Sequence, residues 1–219
     1  MTGGGSLPPA AACLVRLSAA LAAEAASDVE AELRRAADGE AEPEMVDEAI
    51  LQSCLFLGFP AALDAAAAWR RLRRGAPADD DPLAATGRAA ERAERGEWLC
   101  RRVYGNAYPA LRRSVADASP ALDRLMVEIG YGTVLSRPGL DATWRELCLV
   151  AVLAVQVRER QLYSHLRGAL RTGAAPGWVE AALEIGLDRA PHGARERLRG
   201  VWSEVLERSD VSERESDVR

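Results

Sequence analysis

The sequence predicts an all-α protein, and three observations carry that expectation. Hydrophobic residues make up 48% of the chain, with alanine and leucine prominent, whereas aromatics reach only 5%. Alanine, leucine and arginine lose little side-chain freedom in a helix, and the β-branched runs that favour strands are few. Apolar residues also recur at helical spacing, in segments punctuated by proline and glycine. A length of 219 residues suits one large domain or two small units sharing a core.

The elements follow in order. Residues 1–8 are Gly/Pro-rich and are expected to be loose. In LVRLSAALAAEA, Leu14, Leu17 and Leu21 mark a first helix. Ser27 and Asp28 can cap a second, DVEAELRRAADG, which stops at Gly39. Pro43 opens a third, EPEMVDEAILQSCLFLG, and Pro60 begins a fourth through PAALDAAAAWRRLRRG. GAPADDDP (75–82) has turn-formers and acid but no apolar period, and reads as a linker. Helical material resumes with GRAAERAERGEWLCRRVYG, and SPALDRLMVEIGYG has Ser119 as N-cap and Pro120 at the first helical position. After the turn SRPGLD, Asp141 can cap ATWRELCLVAVLAVQ; VRERQLYSHLRGALRTG and PGWVEAALEIGLD follow. A last amphipathic helix, HGARERLRGVWSEVLE, precedes a polar tail.

The first three helices echo the three over residues 141–188. CLV recurs (Cys13–Val15, Cys148–Val150), and EPEMVDEAIL resembles APGWVEAALE, each with a proline opening a helix. A duplicated three-helix unit is the economical reading, and each copy alone leaves an apolar face uncovered. The expected division is a flexible 1–8, an N-terminal repeat 9–74, a linker with connecting helices 75–118, a C-terminal repeat 119–208, and a disordered tail 209–219.

Composition narrows the function classes. A net charge of −5 argues against nucleic acid. No stretch of about 18 uninterrupted apolar residues suggests a membrane span, and MTGGGSLPPAAA lacks the basic and apolar regions of a signal peptide. Cys13, Cys54, Cys100 and Cys148 are scattered in apolar surroundings without a CxxC, a pattern suited to reduced thiols in the cytoplasm.

Chemistry concentrates on His165, one of two histidines. Glu146 precedes the turn near Gln156 and Val157 by about as many residues as His165 follows it. At a rise of ~1.5 Å per residue, an antiparallel hairpin places the two at one level. An imidazole titrates near neutrality and a carboxylate orients it, the pairing general acid–base chemistry needs. Arg158, Gln161 and His165 share a stripe by i, i+3, i+7 spacing, and with Arg145 they could line a pocket for an anionic substrate. A structural histidine, with charges placed at a helix start for the macrodipole, answers the same spacing.

The segments GYGTVLSRPGLDATWRELCLVAVLAV, RQLYSHLRGALRTGAAPGWVEAAL and EAILQSCLFLGFPAALDAA together resemble the carboxymuconolactone decarboxylase family. The likeness covers most of residues 10–190. It implies the all-α fold shared with alkylhydroperoxidase D, built into trimers or hexamers (a dimer being the other choice) with intersubunit sites. Peroxidases of that fold use Glu, CxxC and His. Here Glu146 and His165 match the outer two, but Arg158 and Gln161 stand at the cysteine positions, which disfavours thiol peroxidase activity. Decarboxylase-type relatives also lack the dithiol and use the histidine and glutamate for proton transfer without metal or organic cofactor, taking γ-carboxymuconolactone to β-ketoadipate enol-lactone with loss of CO2. The resemblance also suggests that Tyr131 lines the substrate pocket, although a packed tyrosine at a helix C-cap explains it equally well. In the first copy, alanines replace Arg145 and Glu146, and Glu32 falls near the position of His165, so one active constellation per chain is expected.

The run RRLRR (Arg70–Arg74) could touch an anionic partner, but reads first as a solvated cationic helix end. The expected function is thus a cytoplasmic, cofactor-independent, homo-oligomeric lyase acting on a small carboxylated lactone, with neither nucleic acid nor membrane as partner. Its catalytic residues are His165 and Glu146; Arg145, Arg158, Gln161 and Tyr131 bind substrate. The competing expectation is a non-catalytic oligomeric scaffold or small-ligand binder of the same fold.

Overall fold

Proline occupies the first or second position of five helices, where its missing N–H costs nothing and its fixed φ suits the first turn. The computed structural model describes residues 5–73 and 89–216, with side chains for 5–73 and 90–208. No strand occurs among the described residues. The helices are α1 (Pro9–Ala22), α2 (Ala26–Arg35), α3 (Pro43–Leu72), α4 (Ala89–Tyr104), α5 (Tyr108–Ala118), α6 (Pro120–Leu125), α7 (Ala142–Val155), α8 (Glu159–Thr172), α9 (Pro176–Leu187) and α10 (Arg195–Ser216). The expected linker at 75–82 lies outside the described residues, as do 1–4 and 217–219.

The two related three-helix units are visible in the backbone. Helices α1 and α7 each have 14 residues. Each is followed by a residue in the left-handed region, Glu24 (φ 53°) and Val157 (φ 54°), the only two non-glycine residues with positive φ among those described. The second helix of each unit then gives way to a left-handed glycine, Gly39 (φ 102°) or Gly173 (φ 116°), and a proline opens the third. In the first unit Ala36–Glu40 form a π turn around Gly39; in the second, Gly173 is a simple C-cap.

Helix α7 is the centre. Every residue from Arg145 to Val155 is buried, and α1, α8 and α9 pack around it. A smaller cluster, including Leu99, Cys100, Val103, Tyr131 and Leu149, joins α4 and the segment after α6 to the other side of α7. Charge also crosses between the units. Arg145, 1% exposed, donates to Glu48 Oε2 (2.7 Å), Gln52 Oε1 (3.4 Å), and the carbonyls of Leu140 and Arg137 (both 3.1 Å). Arg137 holds the other oxygen of Glu48 at 2.8 Å.

Several local expectations change. Ser27 and Asp28 do not cap α2: the helix starts at Ala26 with no side-chain cap bond, because the left-handed Glu24 turns the chain earlier, and Asp28 instead meets Arg189 at 3.1 Å. Ser119 and Asp141 do cap, accepting from the backbone N–H of Leu122 (3.3 Å) and Thr143 (2.7 Å). The third and fourth expected helices separate where the sequence places the break: non-helical Gly58 (φ 81°, ψ 168°), just before Pro60, divides α3 into two helical arms. The whole of α3 is long and apolar enough to cross a bilayer, yet the bend divides it, and Glu48 and Gln52 are buried against Arg145. The helix after Ser119 widens into π geometry over Met126–Leu135. The backbone of α10 remains helical to Ser216, past the start of the expected disordered tail.

Candidate functional site

Asp141 starts α7 by accepting the Thr143 N–H, which sets Glu146 one turn further on, facing α8. The chain reverses through Gln156 and left-handed Val157, and α8 returns His165 beside it. His165 Nδ1 and Glu146 Oε2 are 2.9 Å apart. Both residues are buried, at 4% and 3% exposure. Equal chain lengths on either side of the turn do bring them level.

Three further features shape this pair. The Phe56 ring stands edge-on to the imidazole at 5.9 Å between centroids, and the Tyr104 ring lies at 6.3 Å. Gly168, one turn beyond His165, has no side chain; a Cβ there would overlap Glu146 Oε2 and Val103 Cγ1. Glycine at this position is what lets the carboxylate reach the histidine. Finally, the Tyr131 hydroxyl donates to the Tyr104 oxygen at 3.1 Å, leaving the Tyr104 O–H available. Burial pushes both phenols above their ordinary pKa, so both keep their protons.

The pair has unspent valences. Among the described residues, no group bonds to His165 Nε2 or to Glu146 Oε1, and neither atom is among the sealed, unpartnered polar atoms. Arg158 is not part of the helical stripe: it is the N-cap of α8, with non-helical φ −95° and ψ 71°, while Gln161 lies in the first turn, and both are exposed. Tyr131 is near the site but reaches it through Tyr104. Arg145 is not gathered in: its donors are committed to Glu48, Gln52 and two carbonyls, so it is a buried cross-link rather than an open anion receptor. Three clefts open away from the pair, one inside the bend of α3, one against α10, and one between α2 and the second arm of α3.

The first unit holds an ion pair at the corresponding place. Glu32 is buried and accepts from Arg16 Nε at 2.8 Å, with Glu40 on the same arginine at 2.8 Å. All four cysteines are free thiols. Burial raises Cys13 and Cys148 to about 11 and Cys100 to about 12, which keeps them protonated at neutral pH.

Phe56, Tyr104, Gly168 and Glu48 escaped the sequence reading. Gly168 could have been found from its spacing, since a residue three positions after His165 shares its face. Phe56 and Tyr104 come from other helices and carry no local signal.

Residues 120–197 match the carboxymuconolactone decarboxylase family. "Peroxisomal protein 2" of Schizosaccharomyces pombe is 28% identical over 144 residues, which cover 64% of this chain. The match spans 66% of that relative, just under two thirds of its length.

Proposed function

Residues 120–197 belong to the carboxymuconolactone decarboxylase family, and on that premise we propose that the chain is a cofactor-independent acid–base enzyme for a small carboxylated lactone. The observation that carries the reading is the buried 2.9 Å contact between His165 and Glu146, with Nε2 and Oε1 unspent. With Nδ1–H donating to the carboxylate, Nε2 is the atom that gives or takes a proton, and Glu146 stabilises the imidazolium. In the decarboxylation of a carboxymuconolactone, the bond to the carboxylate breaks and CO2 leaves. The electron pair stays on the conjugated lactone, the imidazolium Nε2–H protonates it, and the histidine regains a proton from solvent. Tyr104 supplies a hydrogen bond to a substrate oxygen, backed by Tyr131; Arg158 and Gln161 receive the carboxylate at the exposed N-terminal end of α8.

The test is CO2 release from carboxymuconolactone by the wild type, His165→Ala and Glu146→Gln. Loss of about a hundredfold or more is expected for His165→Ala; unchanged activity would remove His165 from the reaction. A second reading, a scaffold or small-ligand binder, is favoured by the enclosure of the pair. A folded wild type that releases no CO2 would select it.

We also propose that the chain assembles with copies of itself. Trp98, Leu122, Leu125 and Ile129 are large, apolar and exposed, the kind of surface a partner covers. Light scattering of the wild type and Leu125→Asp tests this; a monomeric wild type would end it. Four free thiols suit a reducing compartment such as the cytoplasm.

A further inference from the structure

We propose that the bend of α3 forms a second binding site, separate from His165, for an amphipathic carboxylate such as a medium-chain fatty acid. Gly58 folds the two arms of the helix toward each other around a cavity of ≈ 450 Å³, within the size range of small-molecule pockets. The first arm contributes Ile50, Leu51 and Cys54 to its walls; the second contributes Phe59, Leu63 and Ala66. Trp69 closes the far end, its indole N–H donating to Asp47 Oδ1 at 2.9 Å. Neither His165 nor Glu146 lines the cavity.

The polar groups select the sign of the ligand. Both acids at the cavity are already neutralised: Asp47 meets Arg73 at 2.8 Å, and Glu48 is held by Arg137 and Arg145. Arg70, from the RRLRR run, lines the cavity from an exposed position and makes no ion pair or hydrogen bond with the described residues. The spare charge beside this apolar space is therefore positive, although the whole chain carries −5. An alkyl chain fills the space between the arms, and a carboxylate meets the planar donors of Arg70. A cation would face an arginine, and a neutral chain would forgo the ion pair.

Cys54 provides an internal reporter, because it lines the cavity half-exposed while Cys13, Cys100 and Cys148 are buried. The experiment uses the full chain and decanoate below its micellar concentration. Calorimetry should give one site per chain, and saturating decanoate should slow N-ethylmaleimide modification of Cys54, followed by peptide mass spectrometry, at least tenfold. Decanol should bind more weakly. Arg70→Glu should weaken decanoate roughly tenfold. Ala66→Trp, at an exposed position facing the cavity, should abolish binding with the circular dichroism and melting temperature unchanged; Leu63→Asp serves if that variant does not fold. No binding, or binding at many sites indifferent to these substitutions, would overturn the proposal. So would a Cys54 that resists alkylation without ligand in an oligomer that Ala66→Trp dissociates, since a second copy would then occupy the cavity.

Discussion

Replacing Arg145 by methionine keeps the length of the side chain and removes its charge. In the folded chain this leaves Glu48 Oε2 and the carbonyls of Leu140 and Arg137 without the donors that reach them at 2.7, 3.1 and 3.1 Å. Glu48, 5% exposed, retains only Arg137 as a cationic partner. Breaking a buried ion pair from one side costs about 3–5 kcal/mol, because the remaining charge cannot be rehydrated. For a chain of this size each kcal/mol moves the melting temperature by about 2–4 °C, so a fall of roughly 6–20 °C is expected. Urea unfolding by circular dichroism and thermal melting, at one protein concentration, measure both. Arg145→Met combined with Glu48→Gln should recover part of the loss, since no unpaired buried carboxylate remains. A cost below about 1 kcal/mol for Arg145→Met, or no recovery in the double variant, would refute the cross-link. The first outcome would return Arg145 to the substrate-binding role its sequence position suggests.

Gly168→Ala should push the Glu146 carboxylate off His165; loss of the hydrogen-bonded Nδ1 proton signal in imidazole NMR reads this directly, and a retained signal would contradict it. Glu24→Gly should stabilise the chain by about 0.5–1 kcal/mol, because an exposed residue at φ 53° gives up its left-handed strain; urea unfolding gives the sign. A chromogenic disulfide at pH 8 should titrate one thiol rapidly, Cys54, leaving Cys13 and Cys148 at about 11 and Cys100 at about 12 unreacted until the chain unfolds. Hydrogen bonds from Arg199 and Arg195 hold the Glu184 carboxyl below its ordinary pKa, and Arg112 does the same for Asp123. Their folded pKa values lie below the unfolded ones, so this stability is fully present above the ordinary carboxylate range and is lost as pH falls below that range through the lowered folded values. Glu184→Gln should therefore flatten the acid side of the stability curve.

The hairpin carrying Glu146 and His165 was legible because everything that sets it is local: a cap, two helix lengths and one turn. The duplication was equally legible, since prolines and glycines mark the same backbone positions in both units. Glu48 was not, because an acidic residue near a helix start looks like a solvated charge until Arg145, far along the chain, is seen across from it. The same holds for Phe56 and Tyr104: an aromatic in an apolar period reads as core, and nothing local says which core. Asp28 shows the converse error. A good capping residue was present, but the backbone entered the helix before reaching it.

The family-matched segment, residues 120–197, contains both members of the hydrogen-bonded pair but neither aromatic ring that closes on the imidazole, nor the acid that compensates Arg145. The smallest piece of chain able to hold the site is therefore larger than the piece that identifies it. Excised alone, that segment would expose the imidazole to water on two sides and bring a guanidinium into a core that no longer supplies its carboxylate. The N-terminal unit has no histidine of its own, yet it furnishes a wall of the site and the counter-charge for the helix beneath it.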